Sequence, residues 1–127
     1  MKQLLASCFL AFFIIACSTN NPSYVSTDYI KAIQEDDLRR AKSHIYVPAS
    51  IKRELSPEQI NKALEEKIKS LKNGIDDVNS CEVVKLEEIG DLATKVFIEC
   101  KNKDNKIVDK TFNVINDGGV YKVILSL

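Results

Sequence analysis

The chain has 127 residues, 45% of them hydrophobic, with 18 basic and 18 acidic side chains. That length suits one domain, and that apolar fraction argues against a disordered chain. The two charge signs are interspersed, as along Lys101 to Lys106. The chain therefore lacks the one-sided basic footprint of a nucleic-acid binder, and no nucleic-acid partner is expected.

The first element is a targeting segment. Lys2 gives a short positive start, and an apolar run follows from Leu4 to Ala16, LLASCFLAFFIIA. As a helix this run is too short to cross a ~30 Å hydrocarbon core, and it matches the length of a signal-peptide core. It closes on Ile14-Ile15-Ala16-Cys17. The sequence resembles the lipobox of bacterial lipoproteins: a branched apolar residue, a tolerant position, a small residue, then cysteine. The resemblance implies cleavage between Ala16 and Cys17, with residues 1–16 removed as a signal peptide. It also implies lipid on the Cys17 thiol and so a membrane partner held through that lipid. Ser18 follows where an Asp would favour retention at the inner membrane. This points to the periplasmic face of an outer membrane if the cell is Gram-negative. Residues 17–23 read as a polar tether, and residues 24–127 as the folded domain.

Helical signals come next. Ser26 or Thr27 can cap a first helix carrying Val25, Tyr29, Ile30 and Ile33, and Asp36 or Asp37 can cap a second with Leu38, Ala41 and Ile45. Val47-Pro48 favours extended backbone. Ser56-Pro57-Glu58-Gln59 is the clearest start: an N-cap Ser, Pro at the first helical position, and Gln placed to complete a capping box. Its apolar stripe is Ile60, Leu64, Ile68 and Leu71. The helix is predicted to run to about Lys72, with Gly74 as the stop.

The rest alternates like strands. Glu82 to Glu88 is predicted to pair with Ala93 to Cys100. A turn centred on Gly90-Asp91 sets Cys81 directly opposite Cys100. A four-residue loop, Ile89 to Leu92, is preferred over a two-residue one, because it places the pair at a narrow site where the Cβ atoms approach closely. The pair reads as a disulfide suited to an oxidising compartment. No metal site is expected, since two cysteines and the distant His44 make a poor zinc set. Lys103-Asp104-Asn105 turns the chain into Ile107 to Ile115. An Asp117-Gly118 turn then sets Phe112 opposite Val123 and Val114 opposite Tyr121, with Leu125 on the same face. The class is α+β, with N-terminal helices on a curved four-stranded antiparallel sheet.

Two stretches resemble a known group. YIKAIQEDDLRRAKSHI and LATKVFIECKNKDNKIVDKTFNVINDGGVYKVIL are similar to the opening helices and closing strands of cystatin-like, nuclear transport factor 2-like lipoprotein domains. Among these they resemble the domain of unknown function 4878, related to lumazine-binding-like domains. Tyr121 stands where many relatives carry Trp. The resemblance implies a curved sheet wrapped on a long helix, and a cone between them. Tyr29, Tyr46, Phe97, Phe112 and Tyr121 are the candidates to line that cone.

No catalytic set or cofactor motif is visible. His44 reads as a helix-end histidine, and Asp36-Asp37 as capping chemistry. The expectation is a non-enzymatic envelope lipoprotein that binds an envelope protein or a small apolar ligand. The alternatives are an inhibitor or immunity-type lipoprotein acting on a periplasmic hydrolase, and a small-molecule enzyme using the cone.

Overall fold

The structure, a computed structural model, describes residues 20–125. The leader and the expected cleavage and lipidation positions, Ala16 and Cys17, lie outside the described residues. Helix α1 spans Pro22–Gln34. Its cap is Asn21, whose side chain accepts from the Tyr24 amide at 2.8 Å, with Pro22 in the first turn. Ser26 and Thr27, the expected caps, lie inside the helix. Asn followed by Pro is an equally good start signal, and starting there lets α1 bury Val25, Ser26, Tyr29, Ile30, Ala32 and Ile33. The tether is correspondingly shorter than expected, because Pro22 and Ser23 are helical.

The α1 end is closed by a Schellman pattern, with the Asp37 amide on Ala32 O (2.9 Å) and the Asp36 amide on Ile33 O (3.2 Å). Asp36 takes the left-handed conformation, φ 59°. Asp37 then caps α2 (Leu38–Ser43) through the Arg40 amide at 3.2 Å, as the sequence allows. Ile45, expected in that helix, instead opens β1 (Ile45–Tyr46). Pro48 is extended, φ −61° and ψ 150°, and leads into a short helix α3 (Ala49–Glu54) that the sequence reading did not contain.

Helix α4 (Pro57–Ile75) has the expected capping box. The Gln59 amide donates to Ser56 Oγ at 3.1 Å, and the Ser56 amide donates to Gln59 Oε1 at 2.8 Å. The helix does not stop at Lys72. It continues through Gly74 to Ile75, which is fully buried. Burying one Ile side chain contributes about 2 kcal/mol, more than the ~1 kcal/mol that a helical Gly costs.

The sheet contains β2 (Val78–Ile89), β3 (Ala93–Asn102), β4 (Ile107–Asp117) and β5 (Val120–Ile124) as an antiparallel meander. The expected four strands are therefore present. β1 adds a fifth, parallel to β5, giving the order β1-β5-β4-β3-β2. Two turns differ from expectation. Ile89 pairs with Ala93, so the β2–β3 loop has three residues, and a register shift between Val83 and Lys85 marks a bulge at Val84. The two departures compensate, so Cys81 still faces Cys100 and the two form a disulfide with Cα atoms 4.0 Å apart. The β4–β5 turn is Gly118-Gly119, at φ 63° and 97°, one residue later than expected. Two consecutive positive φ values suit the mirror-image hairpin turn, which glycines adopt without a Cβ clash. The register moves by two: Val114 faces Val123, and Asn116 faces Tyr121. A shift of two keeps every side chain on its expected face.

The inner face of the sheet carries Val96, Ile98, Cys100, Phe112, Val114 and Val123, all buried. α1 lies against it with Val25, Tyr29, Ile30 and Ile33, and α4 adds Leu64, Ile68 and Ile75.

Candidate functional site

α1 is held to the sheet at both ends. The Asn20 amide group donates to Gly119 O at 2.8 Å, and Asn20 Oδ1 accepts from the Tyr121 amide at 3.2 Å. Near the other end, Gln34 Nε2 donates to Val78 O at 3.1 Å. This fixes Tyr29 over the middle of the sheet, with its ring edge-on to Phe112 at 5.5 Å between centroids. Beside that pair, between the C-terminal half of α4 and strands β4 and β5, lies an open cleft of ≈ 450 Å³. Its apolar floor includes Tyr29, Phe112, Leu71 and Leu125, and Lys67 and Lys110 bring positive charge. Gly74 leaves room for the latter: a Cβ there would stand 3.3 Å from Lys110 Nζ.

Tyr29 is wholly buried, and its hydroxyl has no hydrogen-bond partner among the described residues. Burial pushes its phenol up to about 12, so it is a neutral donor at physiological pH. An unpaired buried hydroxyl costs on the order of 1–3 kcal/mol, and such groups in folded proteins are usually met by water or a ligand.

A second groove of ≈ 310 Å³ lies among α1, α2 and α4, over Ala32, Ile33, Ala41 and Ile68. Its surroundings are already paired, Lys72 with Asp36 at 2.7 Å and Lys42 with Glu65 at 3.1 Å. It holds no unpaired buried group.

A charge cluster sits where α1 meets α2. Asp28 Oδ2 lies 2.8 Å from His44 Nε2 and accepts from Arg40 Nε at 3.1 Å. Arg40 also reaches Glu35 at 2.9 Å and Asp37 at 3.4 Å. The Asp28 carboxylate is only 13% exposed. Burial alone raises its pKa, but the hydrogen bonds from His44 and Arg40 and their charges outweigh that and hold it below the ordinary carboxylate value. His44 is therefore more than a helix-end residue: it ties the two helices together through Asp28. Sequence reading missed this cluster because its members lie sixteen residues apart on separate helices. Neither Asp28 nor His44 lines the cleft beside Tyr29.

Of the five residues expected in the cone, the structure brings Tyr29 and Phe112 together there. Phe97 projects from the opposite face, because its neighbours Val96 and Ile98 point into the core and strand side chains alternate. It lies under the ammonium groups of Lys85 (5.2 Å) and Lys95 (5.9 Å). Tyr46 pairs with Ile124 at the β1 edge, and Tyr121 is half-buried against the core, its backbone amide bonded to Asn20 Oδ1. Neither lines the cleft.

The crystal structure of a Campylobacter jejuni protein described as an NTF2-like transpeptidase superposes on this architecture with a TM-score of 0.66. The alignment covers 84% of this chain and 99% of that one. The chain has a nuclear transport factor 2-like fold. Identity between the two is 12%, so the likeness extends to the fold alone. No family model and no curated protein matches the chain. In nuclear transport factor 2-like terms, the cleft beside Tyr29 is the space between the long helix and the curved sheet.

Proposed function

We propose that this protein is a lipid-anchored envelope lipoprotein whose nuclear transport factor 2-like cone binds a small amphipathic anion without catalysing a reaction. The observation that carries the ligand reading is the ≈ 450 Å³ cleft, with its aromatic floor, two lysines and a buried hydroxyl that lacks a partner among the described residues. An apolar tail suits Phe112, Leu71 and Leu125, and an acidic head suits Lys67 and Lys110. The described lining, with Lys67 and Lys110 beside an aromatic floor and no carboxylate, suits the holding of an anion. Anchoring is supported by the apolar leader ending in Ala16-Cys17. The Cys81–Cys100 disulfide supports a location outside the reducing cytoplasm, and Ser18 after the cysteine favours the periplasmic face of the outer membrane in a Gram-negative cell. We further infer a distant relationship to the domain of unknown function 4878, supported by the resemblance of the opening helices and closing strands alone.

The test is an NMR titration with dodecanoate, using dodecyltrimethylammonium as the charge-reversed control. Saturable shifts at Tyr29, Leu71 and Phe112 are expected with the anion only. Lys110→Glu should weaken binding by about tenfold, the loss of one partly desolvated charge contact. Equal response to both detergents, or no saturable response to the anion, would remove the reading.

A further inference from the structure

One end of the molecule is built from three features that the cone does not use. The first is the start of the folded chain: Asn20 is clamped to the β4–β5 hairpin through Gly119 O and the Tyr121 amide. The second is the β2–β3 hairpin tip, fastened alongside by the Asn116 amide donating to Leu92 O at 2.8 Å. The third is a group of bare aliphatic side chains on those tips: Leu92 at 60% exposure, Val120 at 52% and Ile89 at 43%. Ile89 and Ile115 flank Ala93 in one row of the sheet, which connects the patch across the strands.

We propose that this end of the sheet rests on a zwitterionic lipid surface, with Leu92, Ile89 and Val120 entering the interfacial layer as a second anchor. The inference rests on the lipoprotein reading. Two residues, Ser18 and Thr19, separate Cys17 from Asn20, and the three steps between them reach at most about 10 Å when extended. A lipid on Cys17 therefore holds the clamped end, and no other, against the membrane. The distant end of the sheet, at Ile107, lies ten residues along β4 from Asp117, roughly 33 Å away at strand rise. The headgroup preference follows from the charges around the patch. Glu87, Glu88, Asp91 and Asp117 stand there against Lys85, which lies 4.0 Å from Glu87, Lys95 and Lys122, a balance of one negative charge (3 − 4 = −1), so an anionic surface repels this end mildly and a zwitterionic one does not.

The chain contains no tryptophan, so a single introduced one is a clean depth reporter. Full-length Leu92→Trp and Ile107→Trp proteins, expressed with the native leader, are purified with their membrane and reconstituted into phosphatidylcholine vesicles carrying bromine-labelled acyl chains. The mass of the N-terminal peptide is read on the same samples. Cys17 should carry lipid. The tryptophan at 92 should shift to the blue and be quenched at least about threefold more than that at 107, as an interfacial side chain is. Its quenching should fall when phosphatidylglycerol replaces phosphatidylcholine at low salt. Lipidated protein with equal quenching at the two positions would overturn the surface and leave the lipoprotein reading standing. An unmodified Cys17 would overturn both. A blue shift at 92 that needs no lipid and grows with protein concentration would mean that a second copy covers the patch, which also overturns the proposal.

Discussion

Breaking the Cys81–Cys100 link should cost about 3 kcal/mol of stability, the chain-entropy value for a loop closed across a separation of 19 residues. For a domain of this size that is a fall of roughly 12–20 °C in Tm. Side-chain burial on β2 gives no large substitute, which leaves the backbone ladder to β3 as its other hold. β2 is an edge strand, and Val78 is its one buried residue. The assay is urea unfolding of the oxidised protein, the same protein after reduction, and the Cys81→Ala/Cys100→Ala pair. Reduction leaves both sulfurs in place, so it isolates the cross-link. The double substitution adds the packing lost at Cys100, which is fully buried. The midpoint should fall on reduction, fall further in the double variant, and the urea slope should rise because the uncrosslinked unfolded chain exposes more surface. Hydrogen exchange should place the loss first in β2 amides, with β3–β4 amides protected longer. A reduction effect under about 1 kcal/mol with an unchanged slope would refute the argument that the cross-link, not side-chain packing, fastens this edge.

Three other outcomes follow from the polar groups in the core. Ser26→Ala should stabilise by about 0.5–1 kcal/mol by urea unfolding, since the Ser26 hydroxyl is buried without a partner among the described residues and Ala is the better helix former. Spectrophotometric titration should find one of the four tyrosines ionising near pH 12, and Tyr29→Phe should remove that step. Because the folded phenol sits above its ordinary value of 10.0, stability should decline as pH rises from 10 towards 12, and less so in Tyr29→Phe. Asp28→Asn should destabilise by about 1 kcal/mol at neutral pH. The folded carboxyl is held below 3.8, so this contribution is present above that pH and lost as pH falls through the lower folded value. Equal stability of wild type and Asp28→Asn at pH 7 would contradict the bridging role given to His44 and Arg40.

What the sequence disclosed divides along the range of the interactions. The α4 start is settled within four residues, and its capping box is legible from Ser56 and Gln59 alone. The Cys81–Cys100 pairing was legible too, but for an incomplete reason. A three-residue loop and the Val84 bulge cancel, and nothing in CEVVKLEE announces a bulge. β1 was not legible because two residues carry no period, and its partner Val123 lies far along the chain. Phe97 was misplaced because Val96-Phe97-Ile98 is apolar throughout, which hides the alternation that assigns faces. The cone residues that did assemble, Tyr29 and Phe112, are those whose spacing from buried neighbours was unambiguous: Ile33 one helical turn on, and Val114 two residues along a strand.

The position of the cleft relative to the clamped end constrains how a ligand reaches it. Phe112 stands five residues before Asp117 on β4, so the cleft lies about 17 Å along the strand from the hairpin tips. With those tips on the bilayer, the cleft and the disulfide are both lifted into the aqueous layer. Lys67 and Lys110 then face water and not headgroups. A ligand must therefore leave the membrane, or never enter it, to be bound, which favours anions with short tails over two-chain lipids. Dodecanoate should accordingly bind the reconstituted protein and the detergent-solubilised protein with the same affinity. A marked gain on vesicles would mean that the cleft opens towards the bilayer, and that the proposed orientation of the sheet is inverted.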